Sequence, residues 1–190
     1  NRLDENLKTD ILFVCSGLNV MSKVDRSLLG ILRKLARRGI QLGSLCTASY
    51  LLAKAGLLTN RKTTIHWENS LSMKEEFPEL EVTNNLFEID RDRYSCSGGT
   101  SSLDLMLNII IENHGSNLAK SVSDQLIHER IRYSSDYQRM SLRSRLGVSH
   151  PKLLSSVSIM EENLEEPLSH KELSKKANIS LRQLERLFNK

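Results

Sequence analysis

Short apolar runs alternate along this chain with longer stretches whose apolar positions recur at helical spacing. Ile11-Leu12-Phe13-Val14 is a continuous apolar run followed by Ser16-Gly17, the pattern of a strand buried on both faces with a loop at its carboxyl end. Across residues 22–38, Val24, Leu28, Ile31, Leu32 and Leu35 fall on one helical face, and Gly39 closes that helix. Residues 40–45 read as the next strand, and residues 47–55 as a helix ended by Gly56. This strand–helix–strand–helix rhythm predicts a parallel sheet. Thr63-Thr64-Ile65 is β-prone, residues 68–76 read as a helix, and residues 81–83, 86–89 and 94–96 as short strands between polar turns. Gly98-Gly99 precedes a helix with the stripe Leu103, Met106, Leu107, Ile110 and Ile111, ended by His114-Gly115. A further helix over about residues 118–131 is expected to turn Val122, Leu126 and Ile127 inward.

Residues 134–149 have weak periodicity and many Ser and Arg, so a linker is placed there. Pro151 opens a helix with Leu153, Leu154, Val157, Met160 and Leu164 on its apolar side, and Pro167 ends it. The last stretch is the most specific. Ser169 and Glu172 form an S-x-x-E capping box for a short helix carrying Leu173 and Ala177. After Ala177-Asn178-Ile179-Ser180, a second capping box pairs Ser180 with Gln183, and Leu181, Leu184, Leu187 and Phe188 follow at helical spacing. Two capped helices joined by a short turn match the bihelical unit that lays its second helix in the DNA major groove.

The chain has 190 residues, 39% of them hydrophobic, enough for a packed α/β core, and a formal net charge of +4. The basic excess is local: Arg130, Arg132, Arg139, Arg143, Arg145 and Lys152 are met within that stretch by Asp136 alone. Such a run suits either DNA phosphates or a solvated linker. Cys15, Cys46 and Cys96 are odd in number and widely spaced, which argues for a reducing, cytoplasmic setting and against a disulfide framework or structural zinc. No apolar run reaches the length of a membrane span. The start, Asn1-Arg2-Leu3-Asp4, is neither a signal peptide nor an initiator methionine, so the chain is expected to begin inside a larger gene product.

One segment carries candidate chemistry. Ser44-Leu45-Cys46-Thr47-Ala48 lies between an expected strand and an expected helix, with small residues two positions either side of the thiol, as a sharp nucleophile elbow requires. Twenty residues on stands His66-Trp67-Glu68, with the only Trp of the chain. Cys46 as nucleophile with His66 as base is one reading. The others are a thiol lining a ligand pocket and a buried structural thiol. His66 reads equally as a structural histidine or a pocket wall, and Trp67 as packing or as a face for a cationic ligand. Ser97-Gly98-Gly99-Thr100-Ser101 reads mainly as a tight turn and helix cap, since no G-x-x-x-x-G-K or G-x-G-x-x-G accompanies it; no cofactor or metal is expected. Arg33, Lys34, Arg37 and Arg38 read as a solvated helix face.

The strings GSLCTASYLLAKAGLL, TTIHWENSLSMKEEFPELEV, FEIDRDRYSCSGGTSSLDLML, HGSNLAKSVSDQLIHERIR, QRMSLRSRLGVSHPKLL and MEENLEEPLSHKELSKKANISLRQLERLF together resemble the GlxA-type branch of AraC/XylS transcriptional regulators. That resemblance covers nearly the whole chain. It implies a flavodoxin-like α/β sensor domain, similar to class I glutamine amidotransferases and PfpI-type proteins, over residues 1–133. A linker over 134–150 and an all-α AraC-type helix-turn-helix over 151–190 would follow. The PfpI-type enzymes follow the elbow Cys with His; here Thr47 stands in that place, so a non-catalytic sensor is implied. It further implies an earlier βαβ portion ahead of Ile11 and a second helix-turn-helix after Lys190, and hence weak operator binding by this stretch alone. Members activate catabolic genes for arginine, carnitine and glycine betaine, which implies a small nitrogenous effector. Cys46, Thr47, His66, Trp67 and Glu68 are the candidate ligand residues. Arg182, Glu185 and Arg186 would face the groove of double-stranded DNA, with Gln183 and Lys190 at its edge. The expected function is therefore a cytoplasmic, homodimeric, ligand-responsive transcriptional activator, with no membrane partner; the alternative is a PfpI-type cysteine amidohydrolase or peptidase.

Overall fold

The computed structural model describes residues 6–189, apart from the side chain of Lys23. The chain divides into two compact units, 1–138 and 139–190. In the first, β1 (Ile11–Ser16), α1 (Arg26–Arg37), β2 (Gln41–Cys46), α2 (Ser49–Lys54), β3 (Lys62–Thr64), α3 (Ser70–Glu76), β4 (Glu81–Thr83), β5 (Phe87–Asp90), β6 (Arg93–Cys96), α4 (Ser101–His114) and α5 (Ser116–Gln125) follow one another. Four strands form a sheet in the order β1-β2-β6-β5, and β3 and β4 pair separately, in parallel. The β1–β2 and β2–β6 pairs are parallel, whereas β5 runs antiparallel to β6.

Side-chain alternation along β1 explains the layering. Leu12 and Val14 pack with Leu32, Leu35, Leu42 and Leu52 on one face; Ile11 and Phe13 pack with Phe87, Tyr94, Leu105 and Ile109 on the other. The strand therefore meets two cores, as a run apolar at every position requires. Among the described residues its one sheet neighbour is β2; its residues are half-buried and Cys15 is exposed. Gly43 lies opposite Phe13 in the parallel ladder. A β-carbon on Gly43 would stand 2.1 Å from the Phe13 ring, so only glycine lets that ring lie across β2.

Several boundaries differ from the expectation. Helix α1 starts at Arg26 because the Asp25 carboxylate accepts from the Ser27 N–H at 2.9 Å and caps it. Arg33 is exposed as expected, yet its guanidinium also donates to the carbonyls of Ala55 (2.9 Å) and Lys54 (3.2 Å) and closes the end of α2. The buried face of α4 is Asp104, Leu105 and Ile109 with Leu107, while Met106 of the expected stripe is 40% exposed. Helix α5 stops at Gln125; Leu126 is exposed, and Ile127 takes a φ of +53° with 94% exposure. Residues 134–138, expected as linker, are folded onto the first unit: the Leu86 N–H donates to the Ser134 carbonyl (2.8 Å) and Tyr137 bridges Asn85.

The second unit contains α6 (Leu142–Leu146), α7 (Pro151–Glu161), α8 (His170–Lys176) and α9 (Leu181–Phe188). Helix α7 ends six residues before Pro167, where Glu161, Glu162, Glu165 and Glu166 oppose the negative end of the helix dipole. The basic run is largely engaged. Arg130 pairs with Asp136, Arg132 with Asp104, and Arg139 and Arg145 with Glu161. Lys152 donates to the Ala177 carbonyl at the end of α8. No helix among the described residues is long and apolar enough to cross a membrane.

Replacing Gly43 by Val should displace the Phe13 ring and destabilise the first unit by about 1–3 kcal/mol, the usual cost of overpacking. Urea unfolding followed by circular dichroism checks this; an unchanged midpoint would contradict it.

Candidate functional site

At the carboxyl end of β2 the chain turns sharply. Cys46 sits at the turn with a φ of +64°, the left-handed region that non-glycine residues seldom adopt. Its neighbours allow this. Ser44 and Ala48 are fully buried small residues. Gly98, φ +91°, presses against the turn: a β-carbon there would lie 2.6 Å from Cys46 Cβ and 2.9 Å from Sγ. Thr47 Oγ1 donates to the Gly17 carbonyl at 2.7 Å, tying the turn to the loop after β1. Beneath it runs a buried polar chain. The Ser44 and Ser49 hydroxyls lie 2.8 Å apart, Ser49 Oγ donates to the Thr64 carbonyl (2.6 Å), and the Thr64 N–H donates to Ser95 Oγ (2.9 Å).

The geometry is that of a nucleophile elbow, but the surroundings of the thiol favour its neutral form. Burial pushes the Cys46 thiol up, against the Thr47 N–H that lowers it, and the nearby Cys96 and Glu68 push the same way as burial. His66 meets Cys46 through the backbone, its N–H donating to the Cys46 carbonyl at 3.4 Å. Its imidazole Nδ1 instead accepts from the Glu68 N–H (3.4 Å) and lies 3.6 Å from Glu68 Oε2. Among the described residues no hydrogen bond joins the Cys46 thiol to His66. The His66 and Trp67 rings are tilted neighbours, 5.6 Å between centroids.

Beside the elbow opens a mostly polar cavity of about 220 Å³, with His66, Trp67, Ser97, Thr100, Arg132 and Gln138 in its wall and Gly98 between it and Cys46. Of the candidate ligand residues, His66 and Trp67 line this cavity. Cys46, Thr47 and Glu68 are not in its wall. Two lining residues, Arg132 and Gln138, were not expected. Both depend on the segment after α5, whose weak periodicity carries no signal of its destination. One signal was present: Asp104, an acid inside an apolar helix. It is fully buried and accepts from the Arg132 N–H (2.8 Å), Arg132 Nε (2.8 Å) and His128 Nε2 (3.0 Å). Burial raises its pKa, but these hydrogen bonds and the Arg132 charge outweigh burial and hold it below the usual carboxylate range. Arg132 Nη2 also donates to Thr100 Oγ1 at 2.6 Å. No group of three or more His, Cys, Asp or Glu among the described residues could hold a metal ion.

In the second unit both capping boxes form. Ser169 Oγ accepts from the Glu172 N–H and Ser180 Oγ from the Gln183 N–H, each with the reciprocal side-chain bond. Asn178, φ +54°, turns the chain between α8 and α9. Leu173, Ala177 and Leu184 are buried, while Arg182, Gln183, Glu185 and Arg186 are exposed on α9. Gln183 is partly committed, its Oε1 accepting from the Ser180 N–H at 2.9 Å. Lys190 lies outside the described residues. A hollow of about 500 Å³ opens beside Leu173, Leu184 and Phe188.

Residues 3–112 match the DJ-1/PfpI family. The chain belongs to that family. It is also similar to curated transcriptional regulators of Pseudomonas aeruginosa. It is 44% identical to the HTH-type transcriptional regulator GbdR over 95% of this chain and 49% of that protein. To the HTH-type transcriptional regulator CdhR it is 45% identical, over 95% of this chain and 54% of that one. HTH-type transcriptional regulator GlxA of Rhizobium meliloti is 38% identical over 93% and 55%. The chain thus spans about half the length of the curated relatives it matches. Among solved structures, an AraC family transcriptional regulator from Pseudomonas putida superposes with a TM-score of 0.57 at 32% identity, covering 64% of each chain. A ThiJ/PfpI family protein from Pseudomonas syringae gives 0.58 at 21% identity, over 88% of this chain and 63% of that one, a likeness of fold alone.

Because burial raises the Cys46 thiol, alkylation of Cys46 by iodoacetamide at pH 7 should be several-fold slower than that of free cysteine, and should still be slower at about pH 8.5, where a free thiol is half ionised. Site-resolved mass spectrometry reads this out. A Cys46 that alkylates faster than free cysteine at pH 7 would restore the activated nucleophile.

Proposed function

We propose that this chain is the ligand-sensing and DNA-contacting part of a cytoplasmic transcriptional activator that works as a homodimer. The observation that carries the reading is α9. It is capped at its start and anchored by buried Leu184, and it offers Arg182, Glu185 and Arg186 to solvent at helical spacing. That is what a helix needs to enter a major groove, where an Arg reads guanine with two hydrogen bonds. The similarity to regulators named for their helix-turn-helix supports it. Paired readers in a dimer would meet two half-sites.

The sensing site is the cavity beside the elbow, at the carboxyl ends of the parallel strands, where open α/β sheets bind their ligands. Trp67, 40% exposed, offers a ring face to a cationic nitrogen. Cys46 and Thr47 act by forming the turn beside that wall, and Glu68 by engaging the His66 imidazole, rather than by touching the effector. The competing reading, a cysteine amidohydrolase, has the elbow in its favour. Against it stand the raised thiol and the commitment of His66 Nδ1 to Glu68.

Two measurements test this. Arg186→Ala in the intact gene product should weaken binding to an operator selected from random-sequence DNA by about ten- to a hundredfold, with unchanged circular dichroism. Equal affinity would remove Arg186 from the groove. For the sensor, arginine, carnitine and glycine betaine are the probes: a ligand that binds only the native state raises the thermal midpoint. No rise with any of them would argue against a nitrogenous effector. Hydrolysis of an amide substrate that disappears in Cys46→Ala would decide for the enzyme.

A further inference from the structure

The wall of the cavity and the connection to the second unit are the same piece of chain. Arg132 and Gln138 both line the cavity, and Arg139 is the first residue of the second unit. Between them, residues 133–138 are held almost wholly by polar contacts. The Ser134 carbonyl accepts from the Leu86 N–H at 2.8 Å, Tyr137 bridges Asn85, and Asp136 accepts from the Tyr133 N–H at 3.2 Å. The large side chains of this piece bury little: Tyr133 is 72% and Tyr137 89% exposed. A segment with few buried apolar contacts opens locally at a small fraction of the global stability.

Its inner end is fastened by one amide. Gln138 Nε2 lies within hydrogen-bond distance of three acceptors, the Asn85 carbonyl (2.9 Å), Thr64 Oγ1 (3.0 Å) and the Ile65 carbonyl (3.1 Å). A primary amide has two N–H groups, so the three are shared. Gln138 Oε1 is buried with no partner. Water would satisfy that oxygen if the side chain left its seat. The seated state thus gains shared donated bonds and loses one acceptor's hydration, which makes it a balanced fastening rather than a permanent one.

We propose that residues 133–138 form a releasable strap, latched by Gln138, through which occupancy of the cavity is passed to the second unit. This rests on the sensing role of that cavity. A ligand beside His66 and Trp67 lies against the Gln138 end of the strap and against Arg132 at its other end, so it favours whichever strap state fits it better. With the strap seated, the first unit holds the chain up to the residue before Arg139. With it released, six further residues join the connection, and the reach and effective concentration of whatever follows change accordingly.

The test uses the full chain and two local reporters. The Leu86 amide reports the strap through its bond to Ser134, and Trp67, the only Trp, reports the cavity. Gln138→Ala should lower hydrogen-exchange protection at Leu86 by about tenfold or more and shift Trp67 emission, while amides in β1 and β2 keep their protection. Gln138→Glu, whose carboxylate brings only acceptors to acceptors, should do so more strongly. Thr64→Val, which removes one acceptor and leaves Gln138 in place, gives the same reading if the Gln138 variants fold poorly. Protection lost equally across the whole unit, or a loosened strap with unchanged Trp67 emission, would overturn the coupling. A probe amine that raises the thermal midpoint without altering exchange over 133–138 would overturn it as well. The variant measurements need no ligand, so they decide the latch even where the effector class proves wrong.

Discussion

The buried carboxylate of Asp104 organises the site end of the first unit. A lone ionised acid in a core is prohibitively costly, and this one is tolerated because three donors surround it. All three come from the chain after α5, so the charge can be satisfied only if that chain folds back across α4. Arg132 is thereby delivered to the cavity wall, next to Thr100. The folded pKa of Asp104 is depressed, so its contribution to stability is present above the ordinary carboxylate value and is lost as pH falls through the folded one. Acid strong enough to protonate it would therefore loosen the return segment on which both Arg132 and Gln138 depend.

The same constraint explains the shape of the exit from α5. Leu126 ends the helix, Ile127 takes up the left-handed conformation, and the His128 N–H and carbonyl then bond to Ser123. A β-branched residue with positive φ carries strain, and here it goes with almost complete exposure of an isoleucine. Continuing α5 would have buried Leu126 and Ile127 as the periodicity suggested. It would also have carried His128 and Arg132 away from Asp104. Satisfying the buried charge outweighs burying two aliphatic side chains.

What could be read from the chain follows from how local each cause is. The two capping boxes are four-residue events, and Ser169–Glu172 and Ser180–Gln183 form as their spacing implies. The elbow at Cys46 is similarly local. The continuous apolar run of β1 announced two cores, yet strand order is a long-range property, and nothing in residues 11–14 says which strand pairs with it. The apolar periodicity of α4 places its stripe on Leu103, Met106 and Ile110, whereas the buried face includes a charge, Asp104, that an apolar pattern cannot count. His66 and Trp67 were found as a cluster because they are adjacent. Arg132 and Gln138 reach the same cavity from some seventy residues away, and the one pattern that points to either is indirect: the acid Asp104, which needs a cation.

The strained turn at Cys46 has structural consequences beyond the thiol itself. Holding a cysteine at positive φ requires surroundings that over-determine it. Here those are the Thr47–Gly17 bond, the Ser44–Ser49–Thr64–Ser95 chain and the close approach of Gly98. Two of these also reach the cavity. Gly98 belongs to its wall, and Thr64, within the polar chain, is one of the acceptors that seat Gln138. The scaffold that in an enzyme would aim a thiol here shapes one wall of the cavity and seats Gln138 in another. Fold and chemistry are separable in this family's architecture because the elbow's geometry is maintained by its neighbours and not by the reactivity of the residue at its tip.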